Sequence, residues 1–176
     1  MLIDKALNKF AKRVVKESKA NLNKFNRTDT KKLQNSITYN LRISKNSFQL
    51  SFEMEDYGAF VDQGVKGKRS SSRAPRSPFK FGSGTGKKGG LTNSISTWIK
   101  RKGIKGRGKD GKFISDKSLT FLISRSIYQH GIKPSLFFTK PFEKYFNSLP
   151  DELLEDYALD MEKQLERTID NIAKNR

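Results

Sequence analysis

The sequence contains no cysteine and a single histidine, His130. Without thiols there are no disulfides, no thiolate metal clusters and no cysteine nucleophile. One imidazole leaves a Ser-His-Asp triad a single base and rules out a multi-histidine metal site. Acidic groups are scarce, 18 Asp and Glu against 36 Lys and Arg, for a formal net charge of +18. Apolar residues are 34% of 176, below the usual share. That supplies one modest core and leaves part of the chain extended, loop-like or ordered by a partner. No apolar run approaches the roughly 20 residues of a membrane span, so no membrane partner is expected. Residues 1–10 are interrupted by Asp4, Lys5 and Lys9, which does not suit a secretory signal. The inventory points away from catalysis: no enzyme, no cofactor and no metal are expected.

The positive charge is concentrated. Residues 66–112 carry fifteen basic groups against Asp110 alone, whereas residues 151–176 carry eight acids and four bases. Such asymmetry suits a polyanion, an acidic neighbouring subunit, or both. The plainer alternative is a solvated loop that keeps the chain soluble, but the local excess is larger than solubility requires.

Hydrophobic spacing predicts the elements. Ile3, Leu7, Phe10, Val14, Leu22 and Phe25 recur at helical intervals, with Lys5, Lys9, Lys12, Lys16 and Lys19 forming a basic outer face. Residues 26–32 form a polar connection. The period then becomes two: Ile37, Tyr39, Leu41 and Ile43, then Phe48, Leu50, Phe52 and Met54, separated by Ser44-Lys45-Asn46-Ser47. This predicts a β-hairpin with one buried face, resting on the first helix. In residues 56–65 Tyr57, Phe60 and Val61 share one face of a short helix that Gly64 closes. Residues 66–90, rich in Gly, Ser and bases, form a long mobile loop. Leu91, Ile95, Trp98 and Ile99 mark a helix ending at Gly103, followed by a basic stretch with a turn at Asp110-Gly111. A further helix is capped by Ser115 or Asp116, buries Leu119, Leu122, Ile123, Ser126 and Ile127, and ends at Gly131. The run between Pro134 and Pro141 is extended or strand-like, and Phe142 and Phe146 follow as a short helical turn. Ser148 and Pro150 start a long helix, with Leu154, Tyr157, Ala158, Met161, Leu165, Ile169 and Ile172 along one stripe.

Three motifs have plainer explanations than chemistry. Gly84-Thr85-Gly86-Lys87-Lys88-Gly89 matches a dinucleotide fingerprint, but lacks the preceding strand and the following acid. Lys88 also stands where a phosphate-binding loop places Ser or Thr. Glu53, Glu55, Asp56 and Asp62 suggest a metal-dependent nuclease, yet strand alternation puts Glu53 and Glu55 on a solvated face. His130 in the last turn of its helix suits the helix dipole. The basic loops hold few aromatics, Phe79, Phe81 and Phe113, so phosphate attraction without base readout remains.

The order of features, an amphipathic helix, a hairpin, YGAFVDQGV and then PSLFFTKPFEKYF, resembles the tail-completion or head–tail joining family of tailed bacteriophages. Tyr57, Val61, Asp62 and Gly64 match the family's first segment, with Asp in place of Glu and Val65 in place of Thr. Pro134, Phe137, Phe138 and Pro141 resemble the second. The resemblance implies a small α+β protein that forms a homo-oligomeric ring at the virion neck. It would be made in the host cytoplasm and would meet portal or adaptor and tail proteins and the backbone of viral DNA.

The expectation is thus a single α+β domain: a small antiparallel sheet packed on the first and last helices, with a helical, loop-rich insertion at about 66–131. Lys66, Lys68, Arg69, Arg73, Arg76, Lys100, Arg101, Lys102, Lys105 and Arg107 are expected to meet DNA phosphates or acidic partners. Phe79, Phe81, Phe137 and Phe138 are candidate anchors for neighbouring subunits, although Phe137 and Phe138 also suit a core. Glu152, Glu155 and Asp156 are expected to meet a neighbour's basic loop, a heterologous contact of the kind that closes rings. The rival reading is a free, sequence-nonspecific nucleic-acid-binding protein.

Overall fold

The computed structural model describes residues 2–25, 29–44, 47–84 and 89–174. The elements in chain order are α1 (Leu2–Lys24), α2 (Lys32–Ser36), β1 (Thr38–Ser44), β2 (Ser47–Glu53), α3 (Gly58–Gln63) and β3 (Val65–Lys66). They continue with α4 (Gly90–Lys102), α5 (Asp116–His130), β4 (Gly131–Ile132), α6 (Thr139–Phe146) and α7 (Leu149–Lys174). The fold is α+β, with a two-stranded antiparallel hairpin packed with helices. It divides into two compact units, residues 1–55 with 137–176, and residues 56–136. The insertion expected over 66–131 thus falls within a unit that starts ten residues earlier and has its own packing.

In the first unit, β1 and β2 pair with Tyr39 opposite Phe52, Leu41 opposite Leu50 and Ile43 opposite Phe48. The period of two therefore sets the register. Leu41, Leu50 and Phe52 rest on Leu7, Phe10, Val14 and Leu149, so the hairpin is covered by α1 as its marginal stability demands. Toward its Ser44–Ser47 end, Ile43 and Phe48 stand exposed. Phe10 centres a set of edge-to-face rings, 6.2 Å from Phe52, 5.7 Å from Phe142 and 6.4 Å from Phe146. Tyr39 adds a polar tie, its hydroxyl donating to Asn8 Oδ1 at 3.1 Å.

Three expectations are corrected in this unit. The connection before the hairpin contains a short helix, α2, which buries Leu33. The run between Pro134 and Pro141 is not a strand. It turns into α6, with Pro141 buried near the helix start, where a missing N–H costs nothing. Among the described side chains of α7, Leu149 is buried and Leu153 partly so, while Leu154, Tyr157 and Met161 of the expected stripe are exposed. The side chains of Ile3, Leu165, Ile169 and Ile172 lie outside the described residues, as do Lys45 and Asn46 of the hairpin turn.

α1 and α6 are also joined by a polar cluster. The Tyr145 hydroxyl donates to the Glu17 carboxylate at 2.5 Å and Lys144 Nζ donates to it at 2.9 Å. The Tyr145 bond, then the Lys144 bond, holds Glu17 below its ordinary value of 4.5. The same pairing, led by the bond to Glu17, raises Lys144. A lowered carboxyl stabilises the fold above its ordinary value, and that contribution is lost as pH falls through the lowered one. For the raised lysine the contribution is complete below 10.5 and lost as pH rises through the raised value. Melting temperatures of the natural protein and of Glu17→Gln should therefore differ above pH 4.5 and converge well below it. The gap should be small, since the pair is partly solvated.

The second unit is built on a helix pair, α4 and α5, and on a short antiparallel ladder in which Val65 pairs with Ile132 and Lys66 with Gly131. Ser115 caps α5 by accepting from the Ser118 N–H at 3.1 Å. The inward face of α5 is rotated from the expected one: Thr120 and Ser124 are buried, Leu119, Ile123 and Ile127 are half-buried, and Leu122 and Ser126 are exposed. Apolar residues occupy two sides of this helix, so spacing alone does not choose between them. The Thr120 hydroxyl is satisfied by the Asp116 carbonyl at 2.7 Å, which permits its burial. In α3 the buried residues are Gly58 and Asp62, while Val61 is half-buried and Tyr57 and Phe60 are exposed.

Candidate functional site

The segment expected to be a mobile loop over 66–90 is, as far as Phe81, tied into the second unit. Lys66 N–H donates to the Phe79 carbonyl and Phe81 N–H to the Lys66 carbonyl, while Lys68 donates to Tyr128 and Arg69 to Gln129. The buried Ser77 hydroxyl donates to the Gly64 carbonyl at 2.7 Å, and Ala74 is buried. Glycine content suggests mobility, yet Gly67 has no Cβ and so lies directly against the backbone of Gln129 and His130. Low hydrophobicity is here offset by backbone hydrogen bonds. Residues 85–88, and with them the centre of the Gly84–Gly89 motif, lie outside the described residues.

The ten basic candidates fall into two groups. Lys68, Arg69 and Arg73 sit against the C-terminal end of α5: Lys68 Nζ lies 5.9 Å from the Tyr128 ring centre, and Arg73 Nη1 donates to the Gly131 carbonyl at 3.2 Å. Lys66 is half-buried in β3, and Arg76 is exposed on the same segment. At the opposite end of α5, Lys105 Nζ pairs with Asp116 at 3.0 Å. Arg107 lies 4.2 Å over the Phe113 ring and donates to the Gly111 carbonyl at 3.0 Å. Arg107 and Phe113 bridge as the base of a small turn, and Lys100, Arg101 and Lys102 are exposed in the last turn of α4. The span of α5 separates the two groups by roughly 20 Å at 1.5 Å per residue. They are two basic edges of one unit, not a single pocket. Exposed Lys80, Lys109 and Lys112 extend these edges; the same charge count that singled out the ten would have included them.

The aromatic candidates are placed differently. Phe137 is fully buried and is a core residue, not a docking anchor. Phe138 is half-buried among Phe52 at 5.3 Å and Phe142 at 5.9 Å. Phe79 is half-buried, edge-on to Phe60 at 4.5 Å, and Phe81 packs near Tyr128 at 5.8 Å. The rings that face water in this unit are instead Tyr57, Phe60, Phe113 and Phe121. On α7, Glu152 is held within its own unit by Lys9 at 3.2 Å and Arg13 at 3.4 Å, Glu155 is exposed, and the side chain of Asp156 lies outside the described residues.

The carboxylates considered for metal-dependent chemistry do not gather. Glu53 and Glu55 belong to the first unit and Asp56 and Asp62 to the second, and Glu55 is paired with Lys32 at 2.9 Å. Among the described residues no group of three His, Asp or Glu is placed to hold a metal ion. Exposed His130 meets the Ser126 carbonyl through Nδ1 at 3.0 Å. No helix among the described residues is long and apolar enough to cross a membrane.

Two segments separated by more than sixty residues of sequence are locked together. Ser135 N–H and Leu136 N–H donate to the Asp62 carbonyl at 3.0 and 2.9 Å, and the Ser135 hydroxyl donates to the Val61 carbonyl at 2.7 Å. Gly64 completes the seam, since a Cβ there would stand 2.5 Å from the Ile132 carbonyl oxygen and 2.6 Å from Pro134 N. Comparison with protein-family models, curated proteins and solved structures finds no match to the chain.

Proposed function

We propose that this chain is a non-enzymatic structural virion protein of a tailed bacteriophage, forming a ring at the neck around the DNA channel. The observation that carries this reading is the seam closed by Gly64. The YGAFVDQGV and PSLFFTKPF segments, on which the resemblance to head–tail joining proteins rests, meet through Asp62, Gly64 and Ser135. The first segment thus holds the start of the second, Ser135 and Leu136, in place, which suits a pair of motifs with a structural role. The two basic edges, without regularly spaced stacking rings among the described residues, suit sequence-independent attraction to phosphates or to acidic neighbours. The segment from Lys66 to Phe81 is already hydrogen-bonded within the single chain, so assembly need not fold it.

Particles purified by density gradient should contain the chain at a fixed small copy number, located by electron microscopy at the head–tail junction. Virions made without it should accumulate as filled heads and separate tails. Its absence from particles would overturn the reading. For the isolated chain, duplex binding should be weak. Replacing Lys68, Arg69 and Arg76 together by alanine should flatten the dependence of log affinity on log salt by about one unit for each phosphate no longer neutralised. Tight, salt-steep binding to short duplex by a monomer would favour the free nucleic-acid-binding reading instead.

A further inference from the structure

We propose that α7 of one copy docks on the outer face of α5 of a second copy of this chain. α7 is 26 residues long, yet the described side chains that enter the core stop at Leu153. Beyond that point Leu154, Tyr157 and Met161 follow at intervals of three and four, on one face, and are 68%, 56% and 43% exposed. Single exposed apolar residues are ordinary. Three in helical register, beyond the last described side chain that enters the core, are not, because an amphipathic helix owes most of its stability to the cover of its apolar stripe.

Charge identifies what covers it. α7 holds eight of the chain's 18 acids and only three of its 36 bases, so it is an acidic element on a strongly basic protein. The second unit presents the complementary surface. Phe121 and Leu122 on α5 are 58% and 55% exposed, one turn from exposed Lys117 on one side and exposed Arg125 on the other. Arg125 lies 5.9 Å over the Phe121 ring. Each surface is an apolar centre with mainly one sign of charge beside it, acidic on α7 with exposed Glu155 and Glu162 and basic on α5 with exposed Lys117 and Arg125. Because the two patches differ, the contact is heterologous: every added copy brings one used and one unused patch until a ring closes. This interface does not depend on the virion reading and holds for any protein assembled from copies of this chain.

Sedimentation equilibrium of the full chain tests it. At low salt the average mass should rise with concentration above the 20.1 kDa of one chain, and it should fall back at high salt. Leu154→Glu with Met161→Glu, and separately Phe121→Glu with Leu122→Glu, should each leave monomers. Mixed together, the two variants should form a one-to-one complex of twice the chain mass and nothing larger, since one intact patch of each kind remains. A mixture that stays monomeric, or a natural chain that is monomeric at low salt at every concentration, overturns the proposal and leaves α7 to its own chain or to another protein. A second pair leaves the apolar residues untouched. Glu155→Lys with Glu162→Lys, and Lys117→Glu with Arg125→Glu, should each weaken assembly alone and restore it on mixing. Circular dichroism confirms that each variant retains its helices.

Discussion

Gly64→Ala should open the second unit along the seam between residues 57–66 and 131–136, at a cost of more than about 4 kcal/mol, well beyond an ordinary point substitution. Two effects act together. Gly64 has φ of 71° and ψ of −174°, an essentially glycine-only region where an L-residue is strained by about 1–3 kcal/mol. The added methyl also stands inside contact distance of the Ile132 carbonyl and Pro134 N, both backbone, which cannot rotate away as a side chain would. Relief requires breaking the Val65–Ile132 pairing and the bonds from Ser135 and Leu136 to Asp62. Gly84→Ala is the matched control, since φ is 84° there but no atom lies within 4 Å of the new methyl. It should show only the strain, about 1–2 kcal/mol. Urea midpoints read the difference, and exchange of the Lys66, Phe81 and Leu136 amides locates it. Equal destabilisation of the two variants would show that the seam does not hold the unit together.

Phe10→Ala should be comparably severe in the first unit, by about 3–5 kcal/mol. The ring is buried and meets Phe52, Phe142 and Phe146 edge-on. It thereby joins α1 to the hairpin and to α6. Truncation removes burial and several quadrupole-favoured ring pairings at once, and the neighbours belong to separate elements that cannot all collapse into the cavity. Phe10→Leu should recover much of the stability by refilling volume. Against a typical domain stability of about 5–15 kcal/mol, the alanine variant should show a large drop in urea midpoint with an unchanged slope. A change below about 1 kcal/mol would mean that the ring cluster is not the centre of this core.

Much of the first unit was legible because its signals are local. The alternation from Tyr39 to Ile43 and from Phe48 to Phe52 becomes the observed register. In the second unit the capping role of Ser115 and the helix end at Gly103 likewise follow from short-range backbone chemistry. The candidate site was less legible. Lys68, Arg69 and Arg73 were visible as charge, but their position at one end of α5, with Lys105 and Arg107 at the other, depends on pairings such as Lys68 to Tyr128 across sixty residues. Phe79 and Phe81 looked available because nothing nearby in sequence covers them; Phe60 and Tyr128 do so in space.

By itself the sequence determined the α+β class, the hairpin, the helix ends and the uneven charge, since each depends on neighbours within a turn or two. Only the tertiary structure decided which helix faces are buried. Apolar positions on α5 and α7 exceed what one face needs, so the choice falls to whatever element packs there. That is why Thr120 and Ser124 lie inside while Phe121, Leu122, Leu154 and Tyr157 face water. It also decided that a Gly- and Ser-rich basic stretch is held as far as Phe81, because backbone hydrogen bonds, unlike apolar side chains, leave no periodic mark in composition.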